Sequence, residues 1–156
     1  MRQFILYGNG GHARVLKDLI QLLDGEVVHT FDNDNRYDET VFPDVQLIIA
    51  IGNSKIREKV SKEIRHSLAT LIHPKASIAN DVILGEGSVV LANAVVQAGC
   101  KIGKHCIINA SAVIDHDVEV GDFVSIYPNA YIGGEAKITD HKIIEANAVV
   151  ERQTIF

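Results

Sequence analysis

The sequence is poor in the residues that build metal centres. Among its 156 residues it has only two cysteines, Cys100 and Cys106, and its seven histidines form no closely spaced cluster with them. In a reducing compartment, two such cysteines are typical of small buried thiols rather than of a metal or redox site. We therefore expect no bound metal.

Long apolar runs and an excess of positive charge are also missing. No stretch approaches the roughly 18 apolar residues of a membrane span, and the apolar run after Met1 is too short for a signal peptide. The net charge of -5 works against binding to nucleic-acid phosphates, because such binding needs clustered lysine and arginine. We expect a cytoplasmic protein that binds neither nucleic acid nor a membrane.

The second half of the sequence has a strict period of six residues. Every sixth residue from Ile72 to Phe156 is large and apolar, over fifteen successive positions. The residue four places after each of them is mostly small or β-branched. This pattern is typical of a hexapeptide β-helix, in which each six-residue unit supplies a short strand and a corner.

A longer period of eighteen residues is visible in glycine and asparagine. Gly85, Gly103 and Gly121 are eighteen apart, and so are Asn129 and Asn147. Since both residue types tolerate positive φ, the spacing predicts that three six-residue units make one coil with equivalent corners. The inward side chains alone do not offset the entropy lost on ordering so many residues, so we also expect oligomerisation.

Residues 1–71 lack these periods and show a β-α-β-β-α pattern. "FILY" and "GNGGHA" read as a strand and a glycine turn before an amphipathic helix. "EVVHTFDND" (26–34) reads as a second strand, and "VQLIIAIG" (45–52) as a buried parallel strand before another helix. The proline after His73 marks the joint, so we predict a small Rossmann-like domain at 1–71 and a β-helix domain at 72–156.

The turn "GNGGHA" fits the pattern G-x-G-x-x-G/A between a strand and a helix. The start of such a helix offers free N–H groups to a phosphate, and Asp32 is placed to accept a hydrogen bond from a ribose hydroxyl. A dinucleotide fold needs two such halves, and this segment provides one. We therefore favour a mononucleotide-type ligand over NAD, with a plain tight turn as the alternative.

His116 stands between two aspartates in "IINASAVIDHDVEV" (107–120). It follows the inward residue Ile114 by two positions, which directs it away from the prism axis. A neighbouring carboxylate orients a histidine and favours its protonated form, so this residue could take a proton from an attacking amine or hydroxyl. The alternative is an exposed corner histidine. We predict that His105 and His141 are surface residues.

Several segments together closely resemble the bacterial sugar O- and N-acyltransferases related to the sialic acid O-acetyltransferases. They are "GNGGHARV", "FDND", "AIGNSKIR", "LIHPKASI" and "INASAVIDHDVEVGDFVSIYPNA". That family includes enzymes that acetylate a UDP-linked 4-amino-4,6-dideoxy sugar. The resemblance implies a left-handed β-helix and a homotrimer whose active sites lie between subunits.

The resemblance also implies roles for individual residues. His116 would be the general base, Asp117 would orient it, Asn109 would contact the reacting part of the substrate, and the Gly134 amide would meet the thioester carbonyl of acetyl-CoA. Transfer of the acetyl group would be direct. The residues implied to hold the nucleotide are Gly10, Gly11, His12, Asp32, Asn33, Asp34, Ile51, Gly52 and Asn53.

The sequence departs from the family in two places. Many relatives carry a second histidine nine residues after the base, where this chain has Ser125, which we also assign to the coenzyme site. Relatives commonly continue for another coil or two, whereas this chain stops 22 residues after Gly134.

We expect an acetyl-CoA-dependent N-acetyltransferase acting on a nucleotide-linked, UDP-type amino sugar in bacterial glycan biosynthesis. The alternatives are an O-acetyltransferase acting on a sugar or sialic acid hydroxyl, and a nucleotide-sugar-binding trimer with impaired catalysis.

Overall fold

A computed structural model describes residues 1–156, and it begins with a three-stranded parallel sheet. The strands are β1 (Arg2–Tyr7), β2 (Gly25–Phe31) and β3 (Gln46–Ile49), in the order β2-β1-β3. The helices are α1 (Gly11–Leu22) and α2 (Ser54–Ser61). Neither has the length and apolar character that a membrane crossing requires.

Successive residues of the buried strands point to opposite faces of this sheet. Phe4 and Leu6 of β1 pack with the apolar side of α1, whereas Ile5 packs with Val60 of α2. The continuous apolar runs that the sequence shows at β1 and β3 therefore belong to strands that are covered on both sides.

The rest of the chain winds into a parallel β-helix of fourteen two-residue strands. They are β4 (Leu71–Ile72), β5 (Ser77–Ile78), β6 (Ile83–Leu84), β7 (Val89–Val90), β8 (Val95–Val96), β9 (Lys101–Ile102), β10 (Ile107–Ile108), β11 (Val113–Ile114), β12 (Glu119–Val120), β13 (Ser125–Ile126), β14 (Tyr131–Ile132), β15 (Lys137–Ile138), β16 (Ile143–Ile144) and β17 (Val149–Val150). Neighbouring strands of one sheet are eighteen residues apart and pair in parallel, as Ile108 does with Ile126. The predicted fold class, an α/β unit followed by a hexapeptide β-helix, is confirmed.

The strands form three faces. Face 1 contains β4, β7, β10, β13 and β16; face 2 contains β5, β8, β11, β14 and β17; and face 3 contains β6, β9, β12 and β15. The second residue of each strand points inward, and nineteen buried side chains fill the prism. Cys100 and Cys106 belong to this interior as free thiols.

The corners follow a shorter period than we predicted. Positive φ angles recur every six residues from Gly87 to Gln153, including Asn129 and Asn147, so each coil has three left-handed corners. The glycines at eighteen-residue spacing are not among them. A Cβ atom on Gly103 would lie 2.5 Å from the carbonyl oxygen of Gly121, so glycine is required there because successive coils touch.

The N-terminal unit packs on face 1. Leu71, Val89 and Ile107, on the outer side of that face, share one apolar cluster with Leu16 of α1 and Ile48 of β3. The N-terminal unit therefore covers the first coils of face 1. This arrangement fixes where the glycine turn lies relative to the β-helix.

Candidate functional site

His116 lies at the corner between faces 2 and 3, after β11 and before β12. Asp117 takes the left-handed turn there, with a φ of 58°, and its Oδ2 lies 2.8 Å from His116 Nδ1. Because a carboxylate only accepts hydrogen bonds, Nδ1 carries the proton in the neutral ring and Nε2 keeps its lone pair. The His116 side chain is 50% exposed, so this nitrogen is open to a substrate.

The carboxylates around His116 raise its pKa. The hydrogen bond to Asp117 is the largest cause, and the charges of Asp115 and Glu135 act in the same direction. The result is a base that gains its neutral, reactive form only above the ordinary histidine pKa of about 6.5.

Gly134 lies one coil beyond His116 and against its ring. A Cβ atom on Gly134 would be 2.9 Å from His116 Nε2, so only glycine leaves the reactive nitrogen in this position. The N–H group of Gly134 makes no hydrogen bond within the chain. The structure therefore brings a free ring nitrogen and a free amide donor to one place, which is the pair that acyl transfer uses.

Asp115 supports the same corner from the other side. One of its carboxylate oxygens accepts the His116 backbone N–H at 2.8 Å, and the other accepts the Tyr131 hydroxyl at 2.8 Å. These hydrogen bonds lower the Asp115 pKa and keep it ionised. Tyr131 was not identified from the sequence, because it belongs to the next coil and carries no local signal.

The glycine turn forms a separate cavity of about 350 Å³ in the N-terminal unit. Most of the residues predicted to hold the nucleotide line it, namely Gly10, Gly11, His12, Asp32, Asn33, Ile51 and Gly52. Two others lie outside its lining. The Asn53 side chain accepts a hydrogen bond from the Ile56 N–H and caps α2, and the Asp34 N–H donates to Asp32 Oδ1.

His12 stands at the start of α1 and faces this cavity. Burial, and next the charge of Arg57, lower the pKa of His12 to about 4. Its ring is therefore neutral at neutral pH, so one nitrogen can donate and the other can accept a hydrogen bond from a ligand.

Two residues lie where the sequence did not place them. Ser125 is 2% exposed, and its hydroxyl accepts a hydrogen bond from Arg57 at 3.3 Å. A hydroxyl enclosed in this way is not open to a coenzyme, which departs from the role predicted for Ser125. His105, predicted at the surface, is only 4% exposed because its ring stacks on Phe123 at 5.0 Å, while His141 stacks on the other side of Phe123 at 5.3 Å.

One chain does not bring the two halves of the predicted site together. The cavity belongs to the unit on face 1, and His116 lies at the corner opposite that face. Asn109, which follows β10, lies at the corner between faces 1 and 2. No three His, Cys, Asp or Glu side chains come together in a cluster suited to a metal ion.

Two family models match separate parts of the chain. Residues 3–64 match the family described as the PglD N-terminal domain, and residues 84–116 match the bacterial transferase hexapeptide (six repeats). Among curated proteins, the chain is similar to the UDP-N-acetylbacillosamine N-acetyltransferase of Bacillus subtilis (strain 168). The two are 30% identical where they align, which covers 59% of this chain and 52% of that protein. The chain thus spans about half the length of that relative.

Solved structures match over almost the entire chain. The acetyltransferase domain of PglB from Neisseria gonorrhoeae FA1090 is 26% identical with a TM-score of 0.76, covering 100% of this chain and 92% of that one. A histidine-to-asparagine mutant of perosamine N-acetyltransferase from Caulobacter crescentus, in complex with CoA and GDP-perosamine, is 27% identical with a TM-score of 0.75, covering 97% of this chain and 87% of that one. The same PglB domain has also been solved in complex with acetyl coenzyme A, with 25% identity, a TM-score of 0.70 and coverage of 99% of this chain and 90% of that one. The resemblance predicted from the motifs is confirmed.

Proposed function

We propose that this chain is an acetyl-CoA-dependent N-acetyltransferase acting on a nucleotide-linked amino sugar, because residues 3–64 match the PglD N-terminal domain and residues 84–116 match the bacterial transferase hexapeptide. The observation that carries this proposal is the pairing of His116 Nε2 with Gly134 at an open corner. In this assignment residues 1–71 bind the nucleotide, and residues 72–156 hold acetyl-CoA and perform the transfer.

The reaction follows from the atoms at that corner. The substrate amine attacks the thioester carbonyl carbon of acetyl-CoA while His116 Nε2 takes a proton from the amine. The Gly134 N–H stabilises the negative charge that develops on the carbonyl oxygen. The carbon–sulfur bond then breaks, and the sulfur of CoA receives the proton from His116. Asp117 holds the ring in its reactive orientation throughout.

Neither cysteine takes part as a nucleophile. Burial raises the pKa of Cys106 to about 12 and also raises that of Cys100. Both thiols lie inside the prism, where neither substrate reaches them. This supports a direct transfer without an acetylated enzyme intermediate.

A complete site requires a second copy of the chain, since His116 lies opposite the face that carries the nucleotide cavity. Face 2, which borders the His116 corner, presents an outward apolar ladder of Val95, Val113, Tyr131 and Val149, of which Val149 is 63% exposed. We take this ladder as the contact between copies. Three copies related by a cyclic axis would close the assembly and place each cavity near the His116 of a neighbour.

The relatives indicate which substrates to test. One is named for a UDP-linked sugar, and the perosamine enzyme was solved with a GDP-linked one. We take UDP as the expected nucleotide and bacterial glycan biosynthesis as the setting. A cytoplasmic location fits this role, because acetyl-CoA is a metabolite of that compartment.

The test is to incubate the protein with acetyl-CoA and a panel of UDP- and GDP-linked 4-amino-4,6-dideoxy sugars while measuring free thiol. Thiol release that requires the amino sugar supports the proposal. Release that requires a sugar hydroxyl, as on sialic acid, would instead indicate an O-acetyltransferase. Binding of the nucleotide sugar without any thiol release would indicate a binding protein with impaired catalysis.

A further inference from the structure

Arg57 joins the glycine-turn unit to the β-helix through a buried set of hydrogen bonds. It lies on α2 and is 1% exposed. Its Nη1 donates to the carbonyl oxygens of Ile51 and Gly52, both at 2.8 Å. Its Nε donates to the carbonyl oxygen of His105 at 2.9 Å, and its Nη2 to that of Phe123 at 3.1 Å. One planar group therefore contacts both units at once.

No carboxylate pairs with this guanidinium, because all its acceptors are carbonyl and hydroxyl oxygens. Burial lowers the Arg57 pKa to about 10, which still leaves it charged at neutral pH. A buried cation without an acid is a poor source of stability, and an apolar side chain would serve packing as well. What an apolar side chain would not provide is the fixed direction of these donors.

The carbonyl oxygens that accept from Arg57 on the β-helix side belong to two closely packed corners. His105 and Phe123 occupy equivalent left-handed corners of successive coils, and their rings stack with an angle of 8° between planes. Glu58, the next residue of α2, lies 3.4 Å from His141 in the following coil. Contacts with His105, Phe123 and His141 therefore fix the position of helix α2 along three consecutive coils, at the corner between faces 3 and 1.

The acceptors on the other side belong to the nucleotide cavity. Ile51 and Gly52 line it, and His12 faces it close to Arg57. We propose that Arg57 is a positioning residue for the nucleotide sugar. By fixing the Ile51–Gly52 turn to the β-helix, it sets where the sugar amine lies relative to the transfer site. This inference rests on the proposed function, since it assumes that the cavity holds the nucleotide.

The test is Arg57→Lys, which keeps the charge but lacks the fork that contacts both units. We expect kcat/KM for the nucleotide sugar to fall by about 10²-fold, as for a misplaced substrate, and the Kd for UDP to rise. The KM for acetyl-CoA should stay unchanged, because the proposed coenzyme site is at the His116 corner, away from this turn. A general loss of folded protein would instead lower the apparent kcat and leave the KM for the nucleotide sugar and the Kd for UDP unchanged.

Two variants control for stability and charge. Ile20→Val trims the core of the same unit without touching the turn, and Arg65→Lys changes an exposed arginine. Neither should alter the KM for the nucleotide sugar. If Arg57→Lys does not fold, Ser125→Val takes its place. It removes one acceptor of the guanidinium but keeps Arg57 itself, so it should raise the KM for the nucleotide sugar selectively, to a smaller degree.

The outcomes separate this inference from the function on which it rests. Wild-type protein that turns over the substrate while Arg57→Lys, or Ser125→Val in its place, shows an unchanged KM for the nucleotide sugar would overturn the positioning role and leave the function standing. Wild-type protein that binds neither UDP nor GDP and releases no thiol would overturn both.

Discussion

At the scale of single residues, the proposed acetyl transfer depends on which nitrogen of His116 is free. Asp117 occupies Nδ1 and Gly134 leaves room at Nε2, so the ring is held ready to accept a proton on its exposed side. Asp115 fixes the backbone of the same residue through its N–H. The two aspartates therefore have different tasks, although the sequence presents them as a symmetrical pair.

Replacing Asp117 with asparagine should change the pH dependence of the reaction. The active form of His116 is neutral, so the rate rises with pH through the His116 pKa, which Asp117 raises. Removing the carboxylate lowers that pKa, so the rising limb of the kcat/KM profile should move to lower pH while the plateau rate falls. A limb that stays in place would show that another group titrates. Asp44→Asn is the matched control, since Asp44 is exposed and lies in the N-terminal unit, away from the corner.

Replacing Gly134 with alanine should reduce the rate strongly without unfolding the protein. The added Cβ would lie 2.9 Å from Nε2 and would push the ring from its position. General base catalysis typically contributes a factor of about 10² to 10⁴, so we expect a loss approaching that range in thiol-release assays. Thermal denaturation should be little changed. An alanine variant with the wild-type rate would remove Gly134 from the site.

How far the site could be read from the sequence depended on the distance between partners. His116 and the glycine turn are visible because each is a short local motif. Arg57 ends the quoted segment "AIGNSKIR", but the segment does not show what this arginine contacts, because its acceptors His105, Phe123 and Ser125 are 48, 66 and 68 residues away in the chain. Its position beside apolar Ile56 gave no reason to single it out.

At the scale of elements, the period of six residues specified the β-helix almost completely. Each rung is local in sequence and each partner is eighteen residues away, so the pattern predicts both the strands and their register. The corners were harder to predict, because glycine is required there for two different reasons. Gly99 takes a positive φ, whereas Gly103 is selected by contact between coils, and a sequence does not distinguish the two.

The contact role of Gly103 predicts a loss of stability in Gly103→Ala. The new Cβ would meet the Gly121 carbonyl oxygen and an Asp122 carboxylate oxygen, each at 2.5 Å. Overpacking of this kind typically costs about 1–3 kcal/mol, which thermal or urea denaturation would detect. Gly52→Ala, whose Cβ meets nothing within 4 Å, is the matched control and should unfold like the wild type. Equal stability of the two variants would refute the contact role.

At the scale of the whole molecule, the main feature is that one chain separates the glycine-turn cavity from His116. This could not be read from the motifs, because it depends on which face the N-terminal unit covers. Nothing in the sequence distinguishes Leu71, Val89 and Ile107 from other outward strand residues, yet the N-terminal unit packs on them.

The apolar ladder on face 2 predicts that Val113→Asp breaks the assembly. A carboxylate in the middle of an apolar contact loses its hydration without gaining a partner, so the copies should separate. Light scattering after size-exclusion chromatography would measure the change in mass, and thiol release should fall with it. Ile83→Asp, on exposed face 3, is the control and should leave the mass unchanged. A Val113→Asp variant of wild-type mass would exclude this ladder as the contact.

The central claim, that each site combines the cavity of one copy with the His116 of another, is tested most directly by mixing two inactive variants. His116→Ala lacks the base, and Gly10→Glu fills the nucleotide cavity with a charged side chain at a position where a Cβ meets nothing within 4 Å. Co-expressed in equal amounts, they should regain about one quarter of the wild-type rate of thiol release, because in a cyclic trimer a quarter of the sites combine two intact halves. A mixture no more active than either variant alone would show that both halves act within one chain and would contradict the account.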